Sequence, residues 1–205
     1  MRPTTRWAGE RGERGAADYV ARMRALAAEG ADLDGEARLV DVLVPRAARV
    51  LDAGCGTGRV GAALARRGHA VVGVDADPVL VAAARADHPG PAWHTGDLAD
   101  LGAAALDLGP FDAVVAAGNV LVYVAAGTEA AVVAALAGVL RPGGVLVTGF
   151  ATGRHYGPDD LDADAAAAGL VAEHRFATWD LHPWHEDADW VVGVHRRPAA
   201  PATAG

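Results

Sequence analysis

Residues 50–61, VLDAGCGTGRVG, decide the fold. A short apolar run ends in an acid, Asp52, turns through Gly54, Gly56 and Gly58, and passes into a helical stretch that opens at Arg59. Strand, glycine turn and helix form the opening unit of a doubly wound α/β sheet. Glycine is required in the turn because a side chain would hold the backbone away from a ligand at the carboxyl edge of the strands.

Outward from this unit, strand and helix alternate. The pattern predicts strands over residues 49–53, 70–75, 92–95, 111–117 and 145–150, with helices over 59–67 and 77–87, the latter capped by Asp77 with Pro78 at its first position. A helix opened by Thr128 and Glu129 precedes the fifth strand, and Arg141-Pro-Gly-Gly144 reads as the turn into it. Strands joined by right-handed helical crossovers give a three-layer α/β sheet, mostly parallel, with helices on both faces. After a helix near residues 158–168, two strands at 170–178 and 189–196 have no helix between them and are expected to pair antiparallel.

Upstream, residues 1–15 are polar, rich in Arg and Gly and without periodicity, and read as a flexible arm. A helical spacing of Tyr19, Met23 and Leu26 follows from Ala16 to Gly30, then a second helix over 35–44 with Asp34 as its cap. The expected organisation is one domain over 16–197, with a helical cap at 16–45, the arm at 1–15 and a Pro/Ala-rich disordered tail at 198–205.

Composition narrows the function. The chain has 205 residues, 52% of them apolar, enough for a core without metals or disulfides. Its net charge of −8 argues against a nucleic-acid partner, which requires clustered cations. Every one of the 18 basic residues is Arg, so Schiff-base chemistry and a P-loop lysine are excluded. No apolar run reaches a membrane span, and the N-terminus lacks the apolar stretch of a secretory signal, so a cytoplasmic protein without a membrane partner is expected. The single Cys55 agrees with a reducing compartment. The sequence says nothing about oligomeric state.

The glycine turn alone leaves the ligand open. Gly56-x-Gly58-x-x-Gly61 satisfies the dinucleotide pattern, and Asp75, about 20 residues on, can accept the hydroxyls of a ribose from either of two cofactors. In the dinucleotide register the first glycine follows the strand directly, so that pyrophosphate meets the helix N-terminus. Here Asp52 and an extra glycine come first, and a carboxylate suits a sulfonium and an ammonium better than a pyrophosphate. The balance tips toward S-adenosylmethionine.

Over roughly residues 36–197 the chain resembles the class I, Rossmann-like S-adenosylmethionine-dependent methyltransferases of small-molecule type. LDAGCGTG resembles the family's first motif and GVDADP its second. Gly96-Asp97-Leu98, FDAVVAAGNVLVYV and LRPGGVLV resemble the segments at strands three, four and five. The resemblance implies seven strands in the order 3-2-1-4-5-7-6, with S-adenosylmethionine as methyl donor and S-adenosylhomocysteine as product. It also implies a cofactor site at Asp52, Gly54, Cys55, Gly56, Gly58, Asp75, Ala76, Gly96, Asp97, Leu98, Ala117, Gly118 and Asn119. Within it Asp75 takes the ribose, Asp97 the adenine amino group, and Tyr19 reaches the methionine carboxylate. AGNV lacks the Pro-Pro-aromatic continuation that marks base and glutamine methylation.

Methyl transfer is an in-line displacement, in which the protein aligns two reactants and excludes water, and a base is needed only when the acceptor must lose a proton. The acceptor is accordingly unnamed in the sequence. His155 and Tyr123 are the candidate base and pocket wall, Arg154 a partner for an acidic acceptor, and Glu36 and Arg38 a further pair near the first strand. His182, Trp184 and His185 in the final hairpin loop are candidates for an acceptor wall, not a metal site. Two alternatives remain at this point: an NAD(P)-dependent Rossmann oxidoreductase, and a methyltransferase-like domain that binds without catalysis.

Overall fold

Val50, Leu51 and Ala53 are fully buried, facing alternately the two sides of one sheet, which is why the first strand reads as a near-continuous apolar run. The computed structural model describes residues 4–102, 106 and 108–199. Its strands are β1 (Arg49–Ala53), β2 (Ala70–Asp75), β3 (Ala92–Thr95), β4 (Phe111–Ala116), β5 (Leu140–Ala151), β6 (Val171–Phe176) and β7 (Trp190–Arg196). They lie in the order β3-β2-β1-β4-β5-β7-β6. The first five run parallel, and β7 pairs antiparallel with both β5 and β6. Fold class and strand order are those the sequence implies.

The helices are α1 (Arg6–Glu10), α2 (Gly12–Ala28), α3 (Gly35–Leu43), α4 (Arg59–Arg66), α5 (Pro78–Asp87), α6 (Val120–Tyr123), α7 (Glu129–Gly138) and α8 (Pro158–Ala167). Leu39 and Val40 of α3 and Val60 and Leu64 of α4 pack with Val145, Val147, Val192 and Val194 on one face. Val132, Val133 and Leu136 of α7 and Leu161 of α8 pack with Leu51, Val114, Leu146 and Phe150 on the other. Trp93 of β3 lies beside Cys55, Val81 and Ala84, over a surface kept bare by glycine: a Cβ on Gly73 would come within 2.2 Å of its ring. None of the described helices is long and apolar enough to cross a membrane.

Three local expectations need correction. The arm expected to be structureless over 1–15 carries α1 and the first residues of α2, with Thr5 accepting a hydrogen bond from the Ala8 N–H as the cap of α1. A five-residue helix shows no periodicity, and the groups that hold it, Trp7 on Asp77 and Arg6 on Glu129, reach across 70 and 123 residues, so the pattern was invisible. Residues 1–3 of that arm lie outside the described residues, as do residues 200–205 of the expected tail. The RPGG turn is a bulge inside β5: Gly143 takes φ +81°, and the register against β4 slips between Phe111 and Ala113. The short α6 was not expected. It starts where Asn119 adopts φ 72°, a left-handed conformation that Asn tolerates better than most residues.

Candidate active site

At the carboxyl edge of β1, β2 and β4 lies a cavity open to solvent, lined by the glycine turn and by residues of α1, α2 and α6. Its floor is the glycine turn. Gly54, Gly56 and Gly58 have φ of +69°, +54° and +80°, which sends the chain round between β1 and α4. A Cβ on Gly54 would meet Val120 of the cavity wall at 2.5 Å, so only glycine fits there. Gly58 serves a different purpose from the one implied: it is absent from the cavity wall, and a Cβ there would meet Trp93 at 2.9 Å.

Two acids meet in this floor. Asp52 is 2% exposed and accepts a 2.8 Å hydrogen bond from the Gly61 N–H; burial away from water pushes its carboxyl up to about 7. Asp75 ends β2. Its Oδ2 accepts from the Gly56 N–H at 2.8 Å and its Oδ1 from the Asp77 N–H at 2.9 Å, so the carboxylate is fixed while each oxygen keeps a lone pair for a ligand. Burial raises its pKa too, against backbone hydrogen bonds from Asp77, Gly56 and Ala76. Cys55 lines the cavity with a thiol that burial pushes far above its ordinary range, which makes it wall and not nucleophile.

Of the other residues implied by the resemblance, Tyr19, Ala76, Asp97, Leu98, Ala117 and Gly118 also line the cavity. A Cβ on Gly118 would stand in open space. Asp97 caps the turn at Leu98–Asp100 by accepting from the Ala99 N–H. Gly96 and Asn119 do not line it. Gly96 makes room for Leu106, and the Asn119 Oδ1 accepts from the Ala151 N–H at 2.8 Å, tying β4 to the end of β5.

The acceptor candidates divide. Tyr123 lines the cavity. Arg154 stands outside it with its guanidinium 5.6 Å over the Tyr123 ring, and the His155 Nε2 lies 3.3 Å from the Glu129 Oε1. The hairpin loop is remote from the wall: His182 and His185 are exposed, and Trp184 packs under Arg175. Glu36 is buried and grips Arg59 through both carboxylate oxygens, whereas Arg38 is held by exposed Asp32.

Sequence reasoning missed Trp7, Thr57, Arg59 and Val124 in the wall. Arg59 follows the glycine turn directly and is held by Glu36 and the Leu33 carbonyl, but that pairing spans 23 residues and leaves no local signal. Trp7, the one large aromatic in a polar arm, was the available clue. Its ring meets Tyr19 and Tyr123 edge-on at 5.8 and 5.6 Å.

A family model described as a methyltransferase domain matches residues 50–144. A TehB-like S-adenosylmethionine-dependent methyltransferase of Corynebacterium glutamicum is 38% identical, over 89% of this chain and 97% of that one, with a TM-score of 0.82. A magnesium-protoporphyrin O-methyltransferase of Rhodobacter capsulatus is 39% identical over 114 residues, 52% of this chain; the match spans about half, 48%, of that curated relative. The magnesium protoporphyrin IX methyltransferase of Synechocystis PCC 6803 shares the fold at 23% identity, over 89% of this chain and 77% of that one, with a TM-score of 0.59. Sequence and fold agree over most of the chain's length: it belongs to the class I, Rossmann-like family of S-adenosylmethionine-dependent methyltransferases.

Proposed function

We propose that the protein transfers the methyl group of S-adenosylmethionine to a small-molecule acceptor. The observation that carries this reading is Asp75, whose two oxygens are fixed by the Gly56 and Asp77 N–H groups at the lip of a cavity floored by a glycine turn. The residues present fit the nucleoside. Asp75 receives the ribose hydroxyls, the Asp97–Leu98 segment the adenine, and the Gly54–Gly56 backbone with Ala117 the amino-acid end. Asp52 places negative charge beneath the cationic end, and Tyr19, 3.7 Å from where a Cβ of Gly56 would stand, closes it with Arg59 beside it.

When bound, the sulfonium supplies an electrophilic methyl carbon. The chain's own work is to hold that carbon in line with an acceptor and keep water out. Trp7, Tyr19, Val120, Tyr123 and Val124 form an apolar wall suited to both tasks. No histidine lines the cavity among the described residues, and its carboxylates, Asp52, Asp75 and Asp97, each accept from backbone N–H groups. This favours an acceptor that needs no protein base, with Tyr123 as wall and His155 held at the rim by Glu129. The curated relative named for magnesium protoporphyrin supports a small-molecule acceptor and leaves its identity open.

Calorimetric titration tests the reading: micromolar binding of S-adenosylmethionine and S-adenosylhomocysteine, with none of NADH, followed by release of S-adenosylhomocysteine in the presence of an acceptor library. Binding of NADH in place of the sulfonium nucleoside would contradict it.

A further inference from the structure

The chain leaves β5 at the carboxyl edge and runs over residues 152–157 before α8 begins, and the Asn119 amide ties the end of β5 to the start of α6. This loop therefore borders the part of the cavity that α6 lines. Most of its side chains are committed. The Thr152 Oγ1 donates to the Ala188 carbonyl at 2.6 Å, the His155 Nε2 lies 3.3 Å from the Glu129 Oε1, and the buried Tyr156 donates its hydroxyl to the Asp164 Oδ2 at 2.9 Å. Arg154 is the exception. Its guanidinium lies 5.6 Å over the Tyr123 ring, and among the described residues no carboxylate or carbonyl accepts from it. The ring attracts the cation but takes none of its N–H donors.

A shortage of acids does not explain this, since the chain carries 26 of them against 18 arginines. The other cations near the cavity are spent. Arg59 is held by Glu36 and the Leu33 carbonyl, and Arg6 shares Glu129 with His155. Charge is also sorted along the edge of the sheet. Asp52, Asp75 and Asp97, the carboxylates of the cavity, stand at the ends of β1, β2 and β3, whereas Arg154 follows β5, on the far side of β4. Between them the wall is uncharged, formed by Val120, Tyr123 and Val124.

We propose that the acceptor is an apolar molecule bearing one carboxylate, and that Arg154 is the residue that selects it. The nucleoside takes the half of the cavity that holds the acids. The apolar body of the acceptor lies against Val120, Tyr123 and Val124, and its carboxylate reaches the rim at Arg154. One planar guanidinium matches one carboxylate through two parallel N–H···O bonds, while a phosphate would call on further donors, which Arg6 and His155 have already given to Glu129. Arg154 does not line the cavity, so the carboxylate it holds is an anchor and the methyl goes to another group of the same molecule. The inference rests on the proposed methyl transfer and adds the class of acceptor.

The test uses a matched pair of probes, 3-phenylpropionate and 3-phenylpropanamide, titrated by ligand-observed NMR into the protein saturated with S-adenosylhomocysteine. The two share an apolar body and differ in the charge at its end. The wild type should bind the acid about 10-fold more tightly than the amide, and Arg154→Gln should bring the acid down to the affinity of the amide. Arg46→Gln, which removes an exposed arginine just before β1 at the opposite edge of the sheet, should keep the wild-type preference. Equal affinity for the two probes in the wild type, or binding of neither, would overturn the acceptor class. A preference that survived in Arg154→Gln, or vanished equally in Arg46→Gln, would overturn the role of Arg154. Each of these results leaves nucleoside binding intact and the proposed function standing. A wild type that bound no S-adenosylhomocysteine would instead overturn the proposed function, and the acceptor class with it.

Discussion

Two parts of the sheet carry most of the chemically suggestive residues, and they use them in opposite ways. At the carboxyl edge of β1 and β2, the acids Asp52 and Asp75 are answered by backbone N–H groups in the lining of an open cavity. At the β6–β7 edge, the charged groups are answered by one another: Asp162 holds both His195 and Arg175, and Glu173 holds Arg196. On the neighbouring β5, Trp179 sits so close over Gly149 that a Cβ would lie 2.2 Å from its ring. A carboxylate fixed by backbone keeps charge and lone pairs for a ligand, while one fixed by a cation has spent them. The first edge is built to receive something and the second to be closed.

The sharpest way to break this comparison is Asp75→Ala. Removing a carboxylate that accepts the ribose hydroxyls in charge-assisted bonds should weaken S-adenosylhomocysteine binding about 100-fold, with the circular dichroism spectrum unchanged. The mirror experiment is Gly149→Ala. A methyl driven into Trp179 should cost about 1–3 kcal/mol of stability and lower Tm by several degrees, yet leave nucleoside affinity of the folded protein at its wild-type value.

A smaller effect lies in pH. Burial raises the Asp52 carboxyl to about 7, so between its unfolded value near 4 and about 7 the folded state holds a proton that the unfolded state has lost. Stability of the unliganded protein contributed by this group therefore falls as pH rises through that window. Affinity for the cationic nucleoside moves the other way, because the ligand favours ionised Asp52. Calorimetry should show binding strengthening about 5- to 10-fold from pH 6 to pH 7.5, and Asp52→Asn should flatten the profile. Least of all is expected from His182→Ala and His185→Ala, exposed on the remote loop, with affinity and Tm close to wild type.

The same contrast explains what the sequence disclosed. The glycine turn and the Asp77–Pro78 cap were legible because each acts through its immediate neighbours, and Asp75 because it ends the strand that follows the turn by about 20 residues. Arg59 on Glu36 and Trp7 on Asp77 were not, since their partners lie 23 and 70 residues away. The loop from Trp179 to Asp187 misled in the other direction. Its histidines and tryptophans are a suggestive composition, but two of those rings, Trp179 and Trp184, serve packing: one over a bare glycine and one under Arg175. Asn119 was expected at the active site from its motif, yet its amide oxygen is taken by the Ala151 N–H. Residue type indicates what chemistry is available, and only the partner indicates whether it is still free.

A crystal structure of the complex with S-adenosylhomocysteine bears most directly on the central claim. It should show the ribose hydroxyls on the two Asp75 oxygens, the adenine beside Asp97 and Leu98, and the amino-acid end over Gly54 and Gly56. A nucleoside lodged elsewhere, with Asp75 still bonded to backbone amides alone, would contradict it.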